Sequence, residues 1–317
     1  MVRIGIDVGG SNLVAGVVDE RNRIVARAKV RAASFPSGET TVAGLVQIAR
    51  QAAENGGYTP DQIASVGIGI PGMVDDLAGV AVKTVNAPFD HTPVRKLFQQ
   101  LWDVPVYLEN DACCAVLAEG LAGCGRDSSF LMMFTLGTGV GGSYLRKTGN
   151  GIQLRGTEIG HMVIQAGGQP CSCGRRGCWE QYSSATALKR MTREAMELHP
   201  ESGMWPLCKW DLANVSGKTP FVAMRQGDPT AKQVTNTYLS YLADGLANAI
   251  NIFSPELICL GGGIANEREE DLQYPLQELV AQRTHARQGA QSTRFVKAQL
   301  GNDAGIVGAA LLYTPRV

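Results

Sequence analysis

The sequence predicts an α/β protein of two lobes, with an internal duplication and a central cleft. Two observations carry this. Apolar strand-like runs alternate with helical runs along most of the chain, which is the order of an α/β protein. The strand, glycine turn, strand layout of IGIDVGGSNLVAGVVDERN at the start also returns in SFLMMFTLGTGVGGSYLRKTGN from residue 129. Two such hairpins heading two α/β halves bring glycine loops to both sides of a cleft.

The elements follow in order. VRIGIDV, NLVAGVVD and IVARAKV read as three strands separated by a glycine turn and the polar turn ERNR, an antiparallel start. TVAGLVQIARQAA has apolar residues at helical spacing and stops at Asn55, Gly56 and Gly57, after which IASVGIGIP returns as a strand. PVRKLFQQLW is helical, VPVYLEN is a strand, and DACCAVLAEGLAG is a helix beginning on Asp111, a favourable residue for an N-terminus. In the second half TAKQVTNTYLSYLADGLANAINIF is a long helix, PELICLGGGIAN a strand running into a glycine loop, and DAGIVGAALLY a final helix. Residues 199–221 lack periodicity and read as a surface insertion. The smaller lobe is expected to hold 1–112 with 302–317, and the larger lobe 113–301.

Composition narrows the function classes. The chain has 317 residues, 44% hydrophobic and 18% charged, ordinary for a soluble globular protein with a large core. Lys plus Arg number 29 and Asp plus Glu number 29, so no charge excess points to nucleic acid or an anionic membrane. No signal sequence precedes MVRIGIDVGG and no apolar run reaches membrane-spanning length, so a cytoplasmic protein is expected. Cys113, Cys114, Cys124, Cys208 and Cys259 sit mostly in apolar surroundings, as reduced thiols do.

HMVIQAGGQPCSCGRRGCWEQ, residues 161–181, is the densest chemical signal in the chain. His161, Cys171, Cys173 and Cys178 form a Cys₃His set, the donor set of closed tetrahedral zinc sites, and Gly174 and Gly177 allow tight turns around one ion. The competing reading is a cluster of buried thiols, or a disulfide with a spare Cys. The loop's polarity argues against a core cluster.

Three glycine turns and one polar strand end carry the remaining chemistry. Asp7, Gly9, Gly10, Ser11 and Asn12 place an acid and two glycines at a tight turn, where backbone N–H groups can cradle phosphate and Asp7 can orient a Mg²⁺-bound water. Gly137, Thr138 and Gly139 repeat that turn in the second half, and Gly261, Gly262 and Gly263 let a flat ring or ribose approach backbone closely. Each is otherwise only a turn. Glu109, Asn110 and Asp111 end a strand at its carboxyl end, where open α/β sheets place ligands. Asp111 is the candidate base, taking the proton of a sugar hydroxyl as its oxygen attacks a γ-phosphate. The plainer reading makes Asp111 the helix cap alone.

IGIDVGGSN, PG at 71 and 72, LENDA, LGTGVGG, EIGH at 158–161, CSCGRRGCWE and LGGGI together resemble the ROK family (repressor, open reading frame, kinase) of sugar kinases, from residue 1 to about 315. The resemblance is closest to the bacterial ATP-dependent glucokinases of that family. It implies an actin-like, ribonuclease H-like ATPase fold, ATP with Mg²⁺, one structural zinc and a homo-oligomer, dimer or tetramer. It also implies that Asn110 and Asp111 hold the hydroxyl to be phosphorylated, that Gly72 lies at the sugar site, and that Glu158, His161 and Glu180 bind other sugar hydroxyls. His161 would then serve both zinc and sugar, the metal locking the loop that carries the sugar contacts. An enzyme of this layout is expected to close on its sugar, with hinges near Asp111 and Asn302.

Three stretches depart from the family pattern. Asn12, Leu13 and Val14 stand where some members carry a Lys after the first glycine turn, leaving Mg²⁺ to neutralise the phosphates. Trp179 beside the third Cys, and Arg155-Gly156-Thr157 before Glu158, are expected to reshape the sugar pocket. The rival functions are a kinase of fructose, mannose, N-acetylglucosamine or N-acetylmannosamine, polyphosphate in place of ATP, the family's repressor branch, and a noncatalytic sugar binder. The chain shows no winged-helix segment before its first strand and no basic footprint, which disfavours the repressor.

Overall fold

β1 (Val2–Val8), β2 (Asn12–Val18) and β3 (Ile24–Arg31) pair antiparallel, with Gly5 opposite Gly16 and Asp7 opposite Val14. A computed structural model describes residues 1–84, 87–285 and 293–316. α1 (Gly38–Asn55) starts on Ser37, whose side chain and that of Thr40 cap each other's amides, and buries Val42, Leu45, Ile48, Ala49 and Ala52 at helical spacing. β4 (Ile63–Ile70) follows, and β5 (Met73–Asp75), β6 (Val80–Lys83) and β7 (Asp90–Thr92) form a separate small sheet. α2 (Val94–Leu101), β8 (Val106–Asn110) and α3 (Asp111–Leu121) complete this half. β1, β4 and β8 run parallel, and the sheet order is β3-β2-β1-β4-β8. Covered on both faces, β1 and β4 read as nearly unbroken apolar runs.

The plan repeats in β9 (Phe130–Leu136), β10 (Val140–Thr148) and β11 (Gly151–Thr157). A helical stretch follows, α4 (Glu180–Ser183), α5 (Ala185–Leu198), α6 (Met204–Leu207), α7 (Thr219–Arg225) and α8 (Pro229–Phe253). Then come β12 (Leu257–Gly261), α9 (Gln273–Arg283), β13 (Arg294–Lys297) and α10 (Ala304–Ala310). β12 pairs parallel with both β9 and β13, and the order is β11-β10-β9-β12-β13. Each sheet is therefore a three-strand run extended by two parallel strands, the duplication that the repeated glycine hairpin signals.

Two compact units emerge: Met1–Ser129 with Ser143–Gly156 and Gln299–Val317, and Phe130–Gly142 with Thr157–Ala298. The first boundary lies beyond the expected 112, because α3 stays with the first unit and packs along α10. The return comes at Gln299, close to the expected 302. α10 lies on β1 and β4 so closely that a methyl group at Gly67 would stand 1.8 Å from the Ala309 carbonyl oxygen. One at Gly308 would stand 1.8 Å from that of Cys114, so the helix can dock only through glycine.

Residues 199–221 are not a loose insertion. They contribute Met204, Cys208 and Val215 to a small buried cluster with Met196, Ala223 and Ala231, and Trp205 stacks on Trp210 at 6.0 Å. The apolar residues that broke the expected periodicity are this cluster's packing. Among the described residues no helix is long and apolar enough to cross a membrane. Cys113, Cys114, Cys208 and Cys259 are buried and take no part in a disulfide. Burial pushes the Cys113 thiol up to about 12, and nearby Glu109 and Asp111 push the same way, so it is inert as a nucleophile.

Candidate active site

In the first unit the parallel strands end level with one another, with Asp7 opposite Gly69 and Ile70 opposite Asn110. Asp7, Gly72, Asn110 and Asp111 therefore gather at the carboxyl ends of β1, β4 and β8, where ligands of open α/β sheets lie.

Asn110 caps α3, not Asp111. The Asn110 Oδ1 accepts from the amides of Ala112 at 2.9 Å and Cys113 at 3.3 Å, while its Nδ2 donates to the Gly72 carbonyl at 3.0 Å. Asp111, the first helical residue, accepts from the Ala112 amide at 2.8 Å through Oδ1. The capping explanation of Asp111 thus falls away, since extended φ and ψ at Asn110 give that role to the preceding residue. Burial raises the Asp111 carboxyl above the ordinary range, against hydrogen bonds that pull it down. Asp7 is pushed up to about 6, by burial first and then by the charge of Asp111. Both half-buried carboxyls are thus held toward the protonated form, Asp111 by burial and Asp7 by burial and the charge of Asp111.

The Gly9 amide donates to the Asn12 carbonyl at 2.9 Å, and the Gly137 amide to the Gly139 carbonyl at 3.1 Å. Those two amides serve their own turns. A phosphate cradle in either loop would draw on the other backbone donors of the turn.

In the second unit the turn at Gly137, Thr138 and Gly139 is tied to the start of α5. Ala185 N donates to Gly137 O at 2.8 Å and the Thr186 hydroxyl to Thr138 O at 2.8 Å. Gly261, Gly262 and Gly263 follow β12. Gly262 has φ +87°, and a Cβ there would meet the Leu136 backbone at 2.6 Å, so this turn needs glycine to lie against the end of β9.

His161, Cys171, Cys173 and Cys178 come together, all four ligand atoms within 4.8 Å of one another. The Cys171 Sγ to His161 Nδ1 distance is 3.5 Å and Cys173 Sγ to Cys178 Sγ is 3.6 Å. Zinc bonded tetrahedrally to sulfur and nitrogen would set these edges at roughly 3.6 and 3.8 Å. The set fits that ion, and no disulfide joins the thiols. The Arg175 amide and guanidinium hold the Cys173 thiol down at about 6, the direction a thiolate ligand requires.

His161 turns its two ring nitrogens to different neighbours. Nδ1 faces Cys171, and Nε2 is 3.9 Å from Glu158 Oε2. One imidazole can therefore bind a metal through one nitrogen and present the other elsewhere. Glu180 opens α4 with its carboxylate 14% exposed, Oε1 lying 3.2 Å from Cys171 Sγ, whereas the Glu158 side chain is 93% exposed. Trp179 does not shape a pocket. It is fully buried, donates Nε1–H to the Tyr241 carbonyl at 3.0 Å, packs edge-on to Phe134 at 5.7 Å and lies over Gly245, so it anchors the cysteine loop in the core.

Sequence reasoning placed Glu109 at the strand end but gave it no partner, and it passed over Arg316. Arg316 Nη1 donates to Glu109 Oε2 at 2.5 Å across 207 residues, a pairing with no local signal.

The ROK family's sequence model matches residues 3–316. The glucokinase of Thermotoga maritima is 33% identical over 99% of this chain and 98% of its own. A ROK family glucokinase from Streptomyces griseus, solved with glucose and AMPPNP, is 32% identical, covers 98% of this chain and 99% of its own, and superposes with a TM-score of 0.75. The ROK hexokinase of Thermus thermophilus is 29% identical over 98% of this chain and 97% of its own, with a TM-score of 0.76. The mixed α/β fold is the actin-like ATPase fold of these kinases, as the resemblance implied. With a match that spans all but the first two residues and the last, the chain belongs to the ROK family.

Proposed function

We propose that the chain is an ATP-dependent glucokinase that phosphorylates the 6-hydroxyl of glucose. The observation that carries this is the Asn110-Asp111 pair at the end of β8: Asn110 takes over the cap, leaving the Asp111 carboxylate half-buried at a strand end with a raised affinity for protons. The glucokinase relatives at 32–33% identity over nearly the whole chain support the same substrate.

Asp111 accepts the proton of the 6-hydroxyl as that oxygen bonds to the γ-phosphorus and the bond to the ADP oxygen breaks, giving glucose 6-phosphate and ADP. Asn110, held to the Gly72 carbonyl, orients the hydroxyl. Glu158, Glu180 and the Nε2 side of His161 bind other sugar hydroxyls. Gly10, Ser11 and Asn12 on one turn and Thr138 and Gly139 on the other contact phosphates, and Gly261–Gly263 the ribose or base. Mg²⁺ arriving with the nucleotide supplies charge neutralisation, and the paired Asp7 and Asp111 carboxylates fit a cation there. A structural zinc on His161, Cys171, Cys173 and Cys178 holds the loop between Glu158 and Glu180. A panel of glucose, fructose, mannose and the N-acetylated amino sugars, assayed with ATP and Mg²⁺ and again with polyphosphate, tests the reading. A specificity constant for any other pair exceeding that for glucose with ATP overturns it.

Two further outcomes are expected. Glu158→Gln and Glu180→Gln raise the KM for glucose roughly tenfold or more, since each weakens a charge-assisted hydrogen bond, and leave the KM for ATP unchanged. Steady-state kinetics with each substrate varied checks this, and a change confined to ATP would reassign both residues.

The pH profile follows from the raised carboxylates. kcat/KM should fall on the acid side from about pH 6, where Asp7 titrates and Asp111 is drawn upward, rather than near pH 4, the ordinary aspartate value. The sign for stability is opposite. Groups with raised folded-state values stabilise the fold once protonated, and that contribution is lost as pH rises through about 6. Between about pH 4 and 6 protonation of Asp7 therefore costs activity without costing fold. An acid limb that coincides with loss of circular dichroism would contradict this.

A further inference from the structure

The residue before the Asn110-Asp111 pair is held by an unusual pair of donors. Glu109 Oε1 accepts the Asn110 amide at 2.9 Å and Oε2 accepts Arg316 Nη1 at 2.5 Å, so both carboxylate oxygens are committed. The two side chains are 15% and 20% exposed. Arg316 is itself fixed. Its Nη2 lies 3.2 Å from Asp76 Oδ2, and its backbone bridges to Ile152, whose amide donates to the Pro315 carbonyl at 3.1 Å. Arg95 closes the circuit, with Nη2 on the Asp76 carbonyl at 2.6 Å and Nε on the Val106 carbonyl of β8 at 3.0 Å. All of these residues belong to the first unit.

We infer that Arg316 is a positioning residue for phosphoryl transfer: through Glu109 it fixes the Asn110 peptide, and with it the point at which β8 hands over to the Asp111 of α3. The inference rests on the reading of Asp111 as the base. The physical argument is one of orientation. A carboxylate bound at one oxygen only can rotate about its last torsion, whereas one pinned by a guanidinium at the other oxygen presents Oε1 to the Asn110 amide in a single direction. Asn110 then holds three partners at once, the Gly72 carbonyl and the Ala112 and Cys113 amides of α3. A displacement of about 1 Å at such a junction is enough to cost roughly 10²-fold in rate.

Burial draws the Glu109 carboxyl upward, and the Asn110 amide and Arg316 charge oppose this. Removing the cation therefore leaves a half-buried carboxylate with one donor fewer, poorly placed to hold Asn110. The arrangement also explains why Glu109, a strand-end acid beside the proposed base, does not compete with Asp111 for the substrate proton. Its oxygens are already occupied.

The experiment uses the full chain with Arg316→Met, Arg316→Lys, and Arg316→Met combined with Glu109→Gln, alongside Asp111→Asn. Arg316→Met should lower kcat roughly 10- to 100-fold, leave the KM for ATP unchanged and remain folded at the assay temperature. Arg316→Lys should restore part of the loss, and Glu109→Gln in the Met background should also restore part, because no orphaned charge remains. A kcat within about twofold of wild type for Arg316→Met, while Asp111→Asn is inactive, overturns the inference alone. So does a loss that neither Lys nor the second substitution relieves and that follows the unfolded fraction, since that is a structural role only. Retained turnover in Asp111→Asn overturns the underlying reading instead.

Discussion

Asp111→Asn should lower turnover by roughly 10²–10⁴-fold, the contribution of a positioned general base, while leaving melting temperature and glucose affinity close to wild type. The substitution keeps the shape, and the amide oxygen can still accept from Ala112 N as Oδ1 does. The cap of α3 is untouched because it belongs to Asn110. Burial makes the native carboxylate costly to ionise, so a neutral side chain there relieves a penalty rather than adding one. Activity and stability should therefore part company. Single-turnover kinetics, glucose binding by calorimetry and a thermal melt on the same preparation separate the three quantities. Turnover within tenfold of wild type would remove Asp111 from the catalytic role.

Much of this arrangement was legible in the sequence. The glycine hairpins announced the duplication, because a tight turn between two apolar strands leaves a local pattern that survives without tertiary context. The gathering of His161, Cys171, Cys173 and Cys178 was legible for the same reason, as three thiols and an imidazole in a short polar stretch have few other uses. What escaped was non-local. β5, β6 and β7 are three or four residues long and exist because they pair, so no periodicity marks them. Residues 199–221 looked irregular because Met204, Cys208 and Val215 pack on residues from α5, α7 and α8.

Asn110 and Asp111 are both good caps by composition, and only the backbone angles decide between them. The packing of Trp179 was not legible, because its partner is the absence of a side chain at Gly245, sixty-six residues on. The Arg316-Glu109 pair is longer-ranged still.

Cys173→Ser should abolish stoichiometric zinc, raise the KM for glucose roughly tenfold or more and lower the melting temperature by about 10 °C. The choice of residue matters, because Cys173 is exposed and has little packing to lose, so a large effect must come through the metal. The loop around it is held mainly by backbone turns: Cys171 N to Arg175 O at 2.9 Å, Gly174 N to Cys171 O at 3.0 Å and Gly177 N to Gln169 O at 2.8 Å. Its apolar burial is confined to Cys171, Cys178 and Trp179, too little to offset the entropy of ordering a segment this long. Loss of one ligand then costs on the order of 3 kcal/mol or more, and roughly 2–4 °C per kcal/mol in a unit of this size gives the expected shift. The sugar effect follows from position. His161 ends the short turn after Glu158, and Cys178 lies two residues before Glu180, so a loosened loop releases all three proposed sugar contacts together. Saturating glucose should recover most of kcat, because Asp111 belongs to the other unit. Elemental analysis, a melt with and without chelator, and glucose titration are the measurements. Fully active wild-type protein purified without zinc, or a Cys173→Ser protein that keeps wild-type KM while metal-free, would show that the loop holds its shape unaided.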